Sequence, residues 1–194
     1  MKKGMFYILN WIFSYGSASS NRLLAYANSA AEKGYEVEIV AFLRIELKNC
    51  QPRKGVTIRG LKPCQIKSKV ISKLFSFFTT IWFLLTVVKK EDRLLLYGSA
   101  EYLPFLIWFR RKQAFFEVTE CPDLFRPKTY PWKYYKRLWK RLNGIFVISS
   151  NLKQYFVDYG VKPQTVQLIN MIVDSKSFDG VMHNEKVQKY DAYC

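Results

Sequence analysis

Apolar positions along the chain fall into short runs, and the period inside successive runs switches between that of a strand and that of a helix. FYILNWIF, Phe6–Phe13, is a run with no alternation, the look of a strand buried on both faces. The small-residue stretch SYGSASSNR comes next, from Ser14 to Arg22. Leu23, Ala27, Ala30 and Ala31 then recur at helical spacing, with Ser19 or Ser20 available as the cap and Gly34 as the stop. Glu36–Phe42 is a second strand, so the first 42 residues predict a βαβ unit with a right-handed crossover.

The alternation continues. Strands are predicted at Val56–Leu61, Arg93–Tyr97, Ala114–Thr119, Gly144–Ser149 and Thr165–Ile172. Helices are predicted at Lys67–Lys89, Tyr102–Arg110, Trp132–Leu142 and Asn151–Asp158. Strands separated by helices imply an α/β, Rossmann-like three-layer sandwich around a mostly parallel sheet. From Asp174 to Lys189 the pattern turns polar, and YDAYC then starts a new apolar run. A linker leading into a further domain and an ordinary disordered terminus both fit that pattern.

Charge adds a constraint that the pattern does not carry. The 194 residues hold 31 Lys and Arg against 15 Asp and Glu, a net charge of +16. Such a surplus implies an anionic partner: nucleic acid, anionic lipid headgroups or phosphorylated small molecules. Cys50, Cys64, Cys121 and Cys194 form no CxxC pair, and the only histidine is His183, so a zinc site is not expected. Nothing resembles a secretory signal, and the thiols read as those of a reducing, cytoplasmic protein. Leu74–Val88 is apolar for 15 residues between lysines, shorter than the roughly 20 a spanning helix requires, and reads as a buried or membrane-touching helix.

In an open parallel sheet, ligands bind beyond the carboxyl ends of the strands. The first such end is SYGSASSNR, which opens a helix whose free N–H groups and positive dipole end suit an anion. Gly16 allows close backbone approach, and Ser17, Ser19 and Ser20 add hydroxyls. With one glycine this is not a dinucleotide fingerprint, and a plain βα turn with a serine cap remains the alternative. After AFFEVT comes Glu120-Cys121-Pro122-Asp123, where a carboxylate serves as a general base, binds sugar hydroxyls, or is simply solvated. KYYKRLWKR, Lys133–Arg141, combines charge and aromatics. That suits a membrane interface, stacked bases, or a surface helix with its aromatics turned inward. No nucleic-acid-binding signature accompanies it, so nucleic acid is the least supported partner.

Two stretches resemble family-4 glycosyltransferases of the GT-B fold. SYGSASSNRLLAYANSAAEKGYEVEIVAF is similar to that family's small-residue loop and the helix ending in GHEV, here Gly34-Tyr35-Glu36-Val37. Phe146–Phe178 is similar to its V-S-x-x-L…G…K…V-I-P-N-G-V-D…F segment, with Asn170, Asp174 and Phe178 on the family's Asn, Asp and Phe. The chain departs from the pattern at three points. Tyr15-Gly16 stands for a double glycine, Thr119-Glu120-Cys121-Pro122 for a His and Asp, and Ile169-Asn170-Met171 for Pro-Asn-Gly.

The resemblance implies one half of a GT-B fold. Residues 1–174 would be the acceptor-side domain, and 175–194 a linker and the start of a C-terminal, donor-binding domain. It implies a retaining glycosyltransferase that takes a nucleotide-sugar donor, needs no metal or other cofactor, and is inactive as this piece alone. The acceptor would be a glycan, lipid-linked, in bacterial surface polysaccharide synthesis. The site would lie in the cytoplasm, peripheral on the inner face of an anionic membrane. Glu120 becomes the catalytic candidate; Tyr15, Gly16, Ser17, Arg22, Asn170 and Asp174 become the substrate-binding ones. The rival class is a non-enzymatic basic Rossmann-like module that binds anionic membrane or nucleic acid.

Overall fold

A computed structural model describes residues 4–47, 52–61, 69–98, 102–105, 113–125 and 132–169. Seven strands form one sheet: β1 Phe6–Ser14, β2 Val37–Glu46, β3 Val56–Gly60, β4 Arg93–Tyr97, β5 Ala114–Val118, β6 Gly144–Val147 and β7 Val166–Leu168. Their order is β3-β2-β1-β4-β5-β6-β7, and every neighbouring pair is parallel. The expected mostly parallel sheet is thus wholly parallel among the described residues. The order reverses between β1 and β4, the switch point at which an open sheet offers a crevice.

Helix α1, Ala18–Glu32, covers one face of the sheet, packing Leu23 and Ala27 against Ile8, Ile39 and Leu95. The other face carries α2 Lys69–Thr86, α3 Leu103–Phe105, α5 Trp132–Trp139 and α6 Ser150–Asp158, while the short α4 Pro122–Phe125 follows β5. Trp139, Phe156, Phe83 and Tyr102 there pack on Leu96, Phe116 and Val147. The result is the three-layer α/β sandwich that the alternation predicts. Asp92 pins the lower edge: its buried carboxylate accepts from Met5 N–H at 3.0 Å and from Lys89 N–H at 2.7 Å. It thereby joins the start of β1 to the end of α2.

Several boundaries differ from those the sequence predicts, each for a local reason. Ser17, rather than Ser19 or Ser20, caps α1, because Gly16 at φ +88° turns the chain immediately after β1. β1 runs on to Ser14, and β2 on to Glu46, because the Ser14 hydroxyl donates to the Glu46 carboxylate at 2.6 Å. Pro122 opens a one-turn helix where the sequence suggests only a loop. β7 is only three residues long, since Pro163 starts a 3₁₀ turn just before it.

In α5, Tyr135 and Trp139 are buried together with Leu138, Tyr134 is half-buried, and Arg137, with Lys140 just beyond the helix, is exposed. Among the described residues no helix is long and apolar enough to cross a membrane. Residues 170–194, including the predicted linker, lie outside the described residues.

Candidate functional site

The carboxyl ends of β1, β4, β5 and β6 lie along one edge of the sheet, with the switch point between β1 and β4, and the residues there define the candidate site. The β1–α1 connection is only Tyr15-Gly16-Ser17. Tyr15 is 44% exposed beside the turn. Gly16 is exposed, and a Cβ placed on it would meet nothing within 4 Å. The peptide at this turn therefore faces open space, as a surface that receives a ligand must.

The serines divide their work. Ser20 is fully buried, and its hydroxyl oxygen accepts from Ser14 N–H at 3.0 Å and from the Ser17 hydroxyl at 2.9 Å. Ser17 oxygen in turn accepts from Ser20 N–H at 3.3 Å. Ser20 is thus a tie that fixes the turn to the strand. Ser19 is half-buried, 3.3 Å from the Ser17 hydroxyl.

Arg22, one turn further along α1, does not face solvent. It is 6% exposed and points across the sheet to Glu117 of β5, which is 1% exposed. Arg22 Nη1 donates to Glu117 Oε1 at 3.1 Å, and the hydroxyl of Tyr26 donates to the same oxygen at 3.0 Å. Arg22 and Tyr26 are four residues apart, which puts both side chains on one face of α1. Arg22 Nη2 and Glu117 Oε2 are buried with no hydrogen-bond partner.

Burial pushes the Glu117 carboxyl up to about 7, with the Arg22 guanidinium and the Tyr26 hydrogen bond pulling against it. Desolvation, followed by the Glu117 charge, raises Tyr26 well above the ordinary phenol range and raises Tyr97, at the end of β4, as well. Glu117 is the buried charged residue beside the site that sequence reasoning misses. Its one signal is a single carboxylate inside AFFEVT, a strand otherwise apolar up to its last residue.

Glu120 lies three residues beyond Glu117, in the bend after β5, and is solvent-exposed. It therefore stands on the same edge of the sheet as Gly16. Cys121 carries a half-buried free thiol, and Asp123 accepts a 3.3 Å hydrogen bond from the Tyr159 hydroxyl. Asn170 and Asp174, the remaining predicted ligand residues, lie outside the described residues. Among the described residues, no three His, Cys, Asp or Glu side chains are grouped to hold a metal. A separate groove of about 340 Å³ runs between α1 and the sheet, lined by Tyr26, Ala30, Tyr35, Phe115, Phe146 and Ile169 among others.

A seven-stranded parallel sheet covered by helices on both faces defines a Rossmann-like α/β domain. Solved structures give it closer company. The chain superimposes on HepE of Anabaena, crystallised with UDP and glucose, with a TM-score of 0.58 at 12% identity, covering 91% of this chain and 50% of HepE. A second HepE structure, with UDP-glucose, gives a TM-score of 0.57 at 13% identity. WaaG, a glycosyltransferase involved in lipopolysaccharide biosynthesis, gives 0.56 at 9% identity, covering 84% of this chain and 44% of WaaG. The chain thus spans about half the length of these proteins, and at such identities the likeness establishes the fold. No protein-family profile matches the chain. No curated protein matches it by sequence.

Proposed function

We propose that this chain is the acceptor-side half of a retaining, GT-B glycosyltransferase that uses a nucleotide-sugar. The observation that carries the reading is the open Tyr15-Gly16-Ser17 turn at the switch point of a sheet shaped like half of HepE. The free N–H groups and positive end of α1 would stabilise donor phosphates or the charge that develops as the sugar departs. Ser17 and Tyr15 would add polar contacts at the same turn. Glu120, exposed on the β5 edge, would orient an acceptor hydroxyl and take up its proton. Arg22 would contribute through its bond to Glu117, by holding the first turns of α1 in place. Asn170 and Asp174 would shape the hinge toward a donor-binding domain. The acceptor would be a lipid-linked glycan at the inner face of the cell membrane, in surface polysaccharide synthesis. No metal would be required.

The test is transfer of labelled sugar from a panel of nucleotide-sugars to a membrane lipid extract by the full-length gene product. Glu120→Ala should cut transfer by about 10²–10⁴-fold, the usual weight of a general acid–base group, and leave the fold unchanged. Transfer unchanged in that variant would remove Glu120 from the reaction. No transfer with any donor would favour the rival, a basic module that binds anionic surfaces without catalysis, for which the charge of +16 is the supporting observation.

A further inference from the structure

The first three turns of helix α2 are built inside out, whereas its last turns bury Phe83 and Leu84 in the core. Over its first three turns the residues turned to the sheet are Ser72, Ser76 and Thr80, all buried. Thr80 satisfies its hydroxyl on the Ser76 carbonyl at 2.7 Å. The outer face carries Ile71, Leu74, Phe75, Phe78, Trp82 and Leu85, with Phe78 65% and Trp82 61% exposed. Apart from the adjacent Leu74 and Phe75, each follows the last by three or four residues, so the six form one stripe along the helix. Lys73 and Thr86 are the only other exposed residues between positions 71 and 86. Large side chains face out, and small polar ones let the helix sit close against β2. A helix bathed only by water would have the reverse arrangement.

We propose that this stripe is a monotopic membrane anchor, seated in the headgroup and upper acyl region of an anionic lipid bilayer. Two further features select lipid over other occupants. Lys67, Lys69 and Lys73 precede or begin the stripe in the sequence, and Lys89 and Lys90 come after it, so positive charge brackets an apolar side. Glu91 is the one exposed acid immediately beyond Lys90. A second copy of the chain would bring two bodies of charge +16 together, which opposes self-association through this face. Trp82 and Phe78 supply the aromatic bodies that favour the membrane–water boundary. The inference deepens the membrane location proposed above. It is read without nucleotide-sugar, so its failure leaves the transferase reading intact.

The test is flotation of the chain with vesicles of phosphatidylcholine alone and of phosphatidylcholine with phosphatidylglycerol at three to one. The chain should float with the mixed vesicles and stay behind with the neutral ones. Partition into the mixed vesicles should fall by roughly tenfold or more in Phe78→Ser/Trp82→Ser, with the circular dichroism spectrum unchanged. Lys89→Glu/Lys90→Glu should weaken binding at low salt and less at high salt. Lipid brominated in the acyl chain should quench tryptophan emission in the wild type, and Trp82→Phe should lose that quenching while still floating.

Equal flotation with both vesicle types would overturn the proposal, as would a Phe78→Ser/Trp82→Ser variant that binds like the wild type. A concentration-dependent dimer abolished by that double variant would assign the stripe to a second copy instead, and overturn it too.

Discussion

Replacing Glu117 by glutamine should stabilise the protein at mildly alkaline pH, and replacing it by alanine should not. Burial raises this carboxyl from 4.5 to about 7 despite its contacts with Arg22 and Tyr26. Between those two values the folded chain holds a proton that the unfolded chain has released. Stability therefore falls as pH rises through this window, with the loss complete above 7. The difference of about 2.5 units corresponds to about 3 kcal/mol at 1.36 kcal/mol per unit. In a chain of this size that is about 6–12 °C of melting temperature.

Glutamine keeps an oxygen where Oε1 accepts from Arg22 and Tyr26. Its amide nitrogen takes the place of Oε2, which has no partner to lose. Glu117→Gln should thus match the wild type near pH 5 and exceed it near pH 8. Glu117→Ala removes the acceptor of the buried Arg22 and Tyr26 donors, Arg22 being a charge that cannot deprotonate, at a cost of about 1–3 kcal/mol near pH 5. Thermal unfolding tracked by circular dichroism at both pH values measures all three proteins. Subtracting the Glu117→Gln profile from the wild-type profile cancels the titration of every other group. Glu117→Gln destabilised near pH 8 as much as Glu117→Ala would refute this expectation, because the buried ion pair would then outweigh its desolvation.

Other residues give sharp expectations. Gly144 sits under Phe115, and a Cβ there would come within 2.8 Å of the ring, so Gly144→Ala should cost about 1–3 kcal/mol in urea unfolding by forcing Phe115 off its stack with Phe146. Asp92→Ala leaves the N–H groups of Met5 and Lys89 without their acceptor in a buried corner and should cost about 2–4 kcal/mol by the same assay. The Cβ of Gly16→Val meets nothing within 4 Å, so the variant should carry mainly the strain of φ +88°, about 1–3 kcal/mol. A loss much larger than that in thermal unfolding would mean the turn is packed rather than open.

Much of the architecture is readable because the strands of a doubly covered sheet announce themselves as apolar runs. FYILNWIF, RLLLY and GIFVIS each fall on a strand of the sheet. The helix between the first two strands is readable from Gly34 and the alanine spacing, since α1 ends at Glu32. Its cap lies two or three residues earlier than the sequence suggests, because Ser17, Ser19 and Ser20 are chemically alike and only Gly16's positive φ selects among them. The apolar segment after Lys73 gives no sign of its direction. A run with Ser76 and Thr80 on one side and Phe78 and Trp82 on the other fits a buried helix until the sheet shows which side it faces.

The candidate site is half legible. The Gly/Ser turn and Glu120 can be found by looking just past the carboxyl end of each strand. The Arg22–Glu117 pair cannot, because it joins residues 95 apart and depends on β5 lying two strands from β1.

We propose above that the open turn at Gly16 belongs to a nucleotide-sugar site completed by a second domain. Release of nucleoside diphosphate from nucleotide-sugars by the full-length gene product, monitored by chromatography, tests it most directly. The account predicts release from at least one donor, lost in the Gly16→Val variant and absent from residues 1–194 alone. Undiminished release in the folded Gly16→Val variant, or no release from any donor by the wild type, would contradict it.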